Sequence, residues 1–152
     1  MKNIEIDGLN FELFLSSDEI KKRILELSHI LKKVYKNQWP VFLIVLNGGV
    51  VFANELIKYL DDDLELSVVK VRSYKGLETT GEMTIDYIPY DVINNKPVLL
   101  IEDIVDNGFT LDFLKNHLKE YGALSVSCVT LLFKPSKYIF KNKPEYIGFN
   151  IA

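Results

Sequence analysis

Six consecutive apolar residues, Val41-Phe42-Leu43-Ile44-Val45-Leu46, run between Pro40 and Asn47-Gly48-Gly49. Side chains alternate faces along a strand, so a strand without a polar position has to be covered on both sides. A second apolar run, residues 98–101, has the same character. The chain therefore needs a sheet with helices on each face. Residues 37–54 carry no charge and approach the length of a membrane span. Pro40, Asn47, Gly48 and Gly49 interrupt that stretch, which reads better as strand, turn and helix start. A soluble protein is expected.

The rest of the pattern supplies the helices. Ser16-Ser17-Asp18-Glu19 fits a capping box, with Ser16 as the cap and Glu19 three residues on. Ile20, Ile24, Leu27, Leu31 and Val34 then mark one helical face, and Asn37 and Pro40 end it. Residues 50–60 suit a helix that stops at Asp61-Asp62-Asp63, followed by a strand at 64–72. The polar stretch 73–82 reads as a loop, and 83–88 can return as a strand. After the turn at 94–97 and the strand at 98–101, Asp106-Asn107-Gly108 turns into a helix at 110–121. Gly122 stops that helix, and strands follow at 124–133 and 146–151. This alternation predicts an α/β fold: a doubly wound, mostly parallel sheet flanked by helices. Such sheets bind ligands beyond the carboxyl ends of their strands, which directs attention to 47–49, 73–82, 102–110 and 134–136.

Composition narrows the setting. The 152 residues, 48% of them hydrophobic, suit one domain spanning 1–152. Eighteen Lys and Arg against 21 Asp and Glu leave a net charge of -3, so there is no bulk basic field, and nucleic acid is not an expected partner. A single cysteine, Cys128, excludes an internal disulfide framework, and two histidines provide too few ligands for a structural zinc site. The opening MKNIEIDGLN lacks an apolar signal region, so a reducing, cytoplasmic setting is expected. Cys128 and Trp39 read as packing residues, and His29 and His117 as solvated helix positions.

The strongest chemical signal is Glu102-Asp103-Ile104-Val105-Asp106-Asn107-Gly108-Phe109-Thr110, where an apolar strand ends in carboxylates and a glycine turn opens a helix. Unpaired N–H groups and the positive dipole end of a helix bind phosphate, and the Asn107–Thr110 turn could wrap one. The neighbouring carboxylates suit ribose hydroxyls, a hard cation such as Mg2+, or proton transfer.

This string resembles the signature of type I phosphoribosyltransferases, and the hypoxanthine(-guanine) branch matches along nearly the whole chain. Leu46-Asn47-Gly48-Gly49 resembles its pyrophosphate loop. Ser73-Tyr74 with Thr80-Gly81-Glu82 resembles its mobile catalytic loop, Lys134 its purine-contacting lysine, and Tyr146-Ile147-Gly148-Phe149 the strand leading to the purine pocket. The resemblance implies transfer of the phosphoribosyl group of phosphoribosyl pyrophosphate to hypoxanthine and guanine, 6-oxopurine bases, giving a nucleoside monophosphate. It implies Asp106 as the catalytic base, Mg2+ held near Glu102 and Asp103, and a homodimer or homotetramer. Substrate contacts would come from Glu102, Asp103, Asn107, Gly108, Phe109, Thr110, Asn47, Gly48, Ser73, Tyr74 and Lys134. Two departures stand out. Asn47 replaces a frequent Lys or Arg, and the chain stops at Ala152, ahead of a family segment that stacks on and reads the base. The alternatives are a phosphoribosyl-pyrophosphate-sensing regulator on the same fold, a phosphoribosyltransferase for another base, and a Mg2+-dependent phosphohydrolase.

Overall fold

Strand β3 (Val41–Leu46) sits near the centre of a six-stranded sheet, as its unbroken apolar run requires. The computed structural model describes residues 4–36, 38–60, 63–73 and 83–152. Ahead of β3 come strands β1 (Ile4–Ile6) and β2 (Leu9–Phe11) and helix α1 (Ser17–Tyr35). After it come α2 (Gly49–Ile57), β4 (Leu66–Ser73), β5 (Met83–Tyr87), α3 (Tyr90–Ile93) and β6 (Pro97–Val105). Helix α4 (Phe109–Glu120), β7 (Ser125–Phe133) and β8 (Tyr146–Asn150) complete the order. The sheet runs β5-β4-β3-β6-β7-β8, and only β5 is antiparallel to its neighbour. The doubly wound, mostly parallel sheet is the one the sequence predicts.

Alternation along the central strands divides the core in two. Phe42, Leu99, Ile101 and Val129 pack with Ile24, Leu27 and Leu31 of α1 and with Phe52, Ala53 and Leu56 of α2. Leu43, Val45, Val98, Leu100 and Cys128 pack with Leu111, Leu114 and Leu118 of α4. Each such buried Leu or Ile contributes about 1.5–3 kcal/mol relative to an exposed one. The capping box forms as predicted, with Glu19 N–H donating to Ser16 Oγ at 3.2 Å and Ser16 N–H donating to Glu19 Oε2 at 2.8 Å. Trp39 packs on Tyr35 and Phe42. No helix among the described residues is long and apolar enough to cross a membrane.

Several expectations need correction. The apolar stripe of α1 ends at Leu31, because Val34 is exposed. Strand β6 continues to Val105, so Glu102 and Asp103 belong to the strand rather than to a loop, with Glu102 opposite Thr130. His117 is not a solvated surface residue. It is half-buried, stacks on Tyr121 at 4.4 Å and lies 3.0 Å from the Tyr90 hydroxyl. The β1–β2 hairpin and α3 are additional elements. Asp7 and Gly8 turn the hairpin with φ of 52° and 76°, the left-handed pair that a two-residue hairpin turn demands.

Two polar ties set the position of β8 and α4. Arg23 of α1 donates from Nε to Gly148 O and from Nη2 to Ile147 O, both at 2.8 Å. Lys115 of α4 is buried and donates to Glu145 Oε1 at 2.6 Å, while Cys128 N–H donates to Glu145 Oε2 at 2.7 Å. Ion pair and hydrogen bond together fix α4, which carries the glycine turn, to the start of β8.

Candidate active site

Strands β3 and β6 lie side by side and parallel, but the helices that follow them pack on opposite faces of the sheet. A crevice opens at such a switch point, beyond the strands' carboxyl ends. The turn that leaves β3 packs there against the last residues of β6. A β-carbon on Gly48 would lie 2.3 Å from Asp103 Oδ2, and one on Gly49 would lie 2.6 Å from Ile101 O. Only glycine permits that approach at either position. Asn47 and Gly48 are exposed at the mouth, and the Leu46–Asn47 peptide is cis.

The second turn is built by Gly108, whose φ of +92° is a left-handed conformation. Asn107 Oδ1 accepts from Phe109 N–H at 3.1 Å, and α4 begins at that residue with no side-chain cap from Gly108. First-turn N–H groups of a helix lack intrahelical partners, so this end presents donors and a positive dipole. Glu102, Asp106, Asn107, Gly108 and Thr110 line a cavity of about 100 Å³ at that point. The Phe109 side chain lies elsewhere, half-exposed in a groove of about 430 Å³ beside Phe113, His117 and Phe140.

Electrostatics separate the three carboxylates. Burial, and secondarily the charge of Asp103, push Glu102 up to about 8, so near neutrality its carboxyl holds a proton. Asp103 is half-buried beneath Gly48. Asp106 Oδ1 is buried and accepts no hydrogen bond among the described residues, with Lys134 Nζ and Lys137 Nζ each 3.9 Å away. Lys134 is held from behind, its N–H donating to Val105 O at 3.0 Å.

Most of the expected residues are thus brought together. Ser73 ends β4 opposite Met83, at the same carboxyl end of the sheet. Tyr74 and Thr80-Gly81-Glu82 lie outside the described residues. Three residues of the site are additional to the sequence reading: Lys137, Tyr138 and Phe140. A β-carbon on Gly108 would meet Tyr138 Cε2 at 2.3 Å and Phe140 Cδ2 at 3.0 Å, so the segment after β7 folds back onto the turn. Three more basic or aromatic residues shortly after Lys134 were its only sequence trace.

Residues 16–152 match the phosphoribosyl transferase domain family. The chain belongs to that family. Its relatives include the hypoxanthine-guanine phosphoribosyltransferase of Lactococcus lactis, 39% identical over 92% of this chain and 76% of the relative. The hypoxanthine-guanine-xanthine phosphoribosyltransferase of Tritrichomonas foetus is 36% identical over 95% of this chain and 79% of its own length. A crystal structure of a hypoxanthine-guanine phosphoribosyltransferase from Bacillus anthracis superposes with a TM-score of 0.84 at 30% identity, covering 93% of this chain and 84% of that one.

In this phosphoribosyltransferase, Asp103 is a hard oxygen donor half-buried at the crevice, whereas Glu102, buried and protonated near neutrality, would have to give up its proton to join it on a divalent cation. No group of three or more His, Cys, Asp or Glu is arranged for a metal among the described residues. With Glu102 deprotonated, the pair completed by water and substrate phosphate oxygens would be a donor set that suits Mg2+.

Proposed function

We propose that the chain transfers the phosphoribosyl group of phosphoribosyl pyrophosphate to hypoxanthine and guanine, releasing pyrophosphate and a purine nucleoside monophosphate. The observation that carries this reading is the meeting of Asp106 and Lys134 beside the cavity at the start of α4, in a chain that resembles named hypoxanthine-guanine phosphoribosyltransferases. Helix-end donors and the Thr110 hydroxyl would hold the 5′-phosphate. Asn47 and Gly48 would face the pyrophosphate, and Glu102 and Asp103 the ribose hydroxyls. For Ser73 and Tyr74 the contact rests on sequence context alone.

The reaction forms a bond from purine N9 to the anomeric carbon and breaks that carbon's bond to the pyrophosphate oxygen. The proton on purine N7 passes to the Asp106 carboxylate, and the bonding electrons leave with pyrophosphate. Lys134 would donate to the exocyclic oxygen at purine position 6, which selects 6-oxopurines over adenine. Fixed N–H donors stabilise charge without reorganising as it develops. Mg2+, held by Glu102 and Asp103 when bound, would supply positive charge against the departing pyrophosphate. A homodimer or homotetramer in the cytoplasm completes the reading. The exposed apolar face of the hairpin, Ile4, Ile6, Leu9 and Phe11, supports association, and the single buried thiol suits a reducing compartment.

The test offers hypoxanthine, guanine, xanthine, adenine and uracil separately, with phosphoribosyl pyrophosphate and Mg2+. Nucleoside monophosphates from hypoxanthine and guanine, and none from adenine or uracil, are expected. Donor binding without product from any base would indicate a sensor instead.

A further inference from the structure

We infer that Lys137 is a positioning residue for Asp106, the second of two cations that hold this carboxylate, and the one that stays when Lys134 turns to the base. The inference rests on the role proposed for Asp106 above. Asp106 Oδ1 is buried and unbonded, and the two lysine ammonium groups stand at 3.9 Å on this one atom. Their spacing is built into the backbone. Lys137 N–H donates to Lys134 O at 3.2 Å, a tight turn that sets residues three apart around the same oxygen. That turn is fastened at both ends, by Lys134 N–H to Val105 O at 3.0 Å and by Ile139 N–H to Asn107 O at 3.3 Å. Tyr138 closes over Gly108 between them.

The two lysines differ in accessibility. Lys134 is 23% exposed and Lys137 58%, so Lys134 faces the crevice while Lys137 approaches from its rim. A lysine that donates to the purine oxygen gives up part of its interaction with Asp106. Without a second cation the carboxylate would then be free to swing while it must point at N7. The remaining titratable group on the cavity is Glu102 of β6, and α4 contributes only Thr110 and Leu111 to its lining. Among the described residues, no cationic side chain lines this cavity that could take the place of Lys137.

The experiment compares Lys137→Met, which keeps the stem and removes the charge, with Lys137→Arg, each alone and combined with Asp106→Asn. Lys137→Met should lower kcat by about tenfold, a small part of the range a general base supplies, with KM for phosphoribosyl pyrophosphate within about twofold. Lys137→Arg should recover most of the rate. In the Asp106→Asn background Lys137→Met should cause no further loss, because the group it acts through is gone. The carboxyl 13C resonance of Asp106 in the free protein should move in Lys137→Met and return in Lys137→Arg. An unchanged kcat, or a loss that adds fully to Asp106→Asn, would overturn the inference. If the unsubstituted chain makes no nucleotide, the proposed function fails, and the Asp106 resonance alone decides whether Lys137 holds that carboxylate.

Discussion

Gly48 and Asp103 share a space that has no room for one more carbon, because a β-carbon at residue 48 would sit 2.3 Å from the Asp103 carboxylate. The contact joins the turn after β3 to the acidic end of β6. Gly48→Ala has to push that carboxylate aside, and a side chain moves more readily than backbone. Stability should change little, while Mg2+-dependent binding of phosphoribosyl pyrophosphate weakens. At Gly49 the obstacle is the Ile101 carbonyl at 2.6 Å, so Gly49→Ala should destabilise by about 1–3 kcal/mol, in the range of overpacked cores. Calorimetric titration and urea unfolding of both variants separate the two effects.

Glu102 gives the fold a pH dependence whose sign is fixed by burial. Its carboxyl is pushed up to about 8 in the folded protein, from an ordinary value of 4.5. The stability it allows is fully present below 4.5 and falls as pH rises from there through 8, because only the unfolded chain ionises it freely. In metal-free buffer, the difference in unfolding free energy between Glu102→Gln and the unsubstituted protein should widen across that window in favour of the variant. The slope is at most about 1.4 kcal/mol per pH unit. Parallel stability curves would show that Glu102 does not titrate there.

Asp106→Asn is nearly isosteric but cannot accept the N7 proton. Turnover should fall by about 10²–10⁴-fold, the usual range for a general base, with donor affinity largely kept. Single-turnover kinetics isolate the chemical step from product release. A normal chemical rate would mean that another group takes the proton.

At the α4 turn, Thr110→Ala and Gly108→Val should weaken phosphoribosyl pyrophosphate and nucleoside monophosphate alike, since both carry a 5′-phosphate. The two variants should differ in stability. Gly108 has a φ of +92°, and a β-carbon there would lie 2.3 Å from Tyr138 Cε2, so valine is strained and displaces the ring, whereas Thr110→Ala removes one hydroxyl. Isothermal titration with both ligands, alongside melting temperature, checks this pair.

How legible each element is in the sequence follows from how local its cause is. The bounds of β3 can be read directly, because six apolar residues sit between Pro40 and an Asn-Gly-Gly turn. The end of β6 cannot, since Glu102 and Asp103 look like loop residues, whereas in the strand Asp103 reaches the crevice at the sheet's carboxyl end and Glu102 is buried and keeps its proton. The hairpin has a clear Asp7-Gly8 signal but three-residue strands, too short for alternation to register. His117 misleads because its sequence neighbours are charged, while the helix sets Phe113 and Tyr121 four residues to either side as ring partners. The Glu102–Thr110 half of the site is local and therefore visible. Lys137 and Tyr138 enter through a fold-back of the segment after β7, which no periodicity announces.

The most direct test of the central claim is a mass balance on the purified chain. It is incubated with Mg2+, phosphoribosyl pyrophosphate and labelled hypoxanthine, and nucleoside monophosphate and pyrophosphate are quantified together over time. The two products should appear in a one-to-one ratio, only when the base is present, and should be lost together in Asp106→Asn. Pyrophosphate or phosphate released at the same rate without base would contradict the account, making the carboxylates of β6 the centre of a hydrolase.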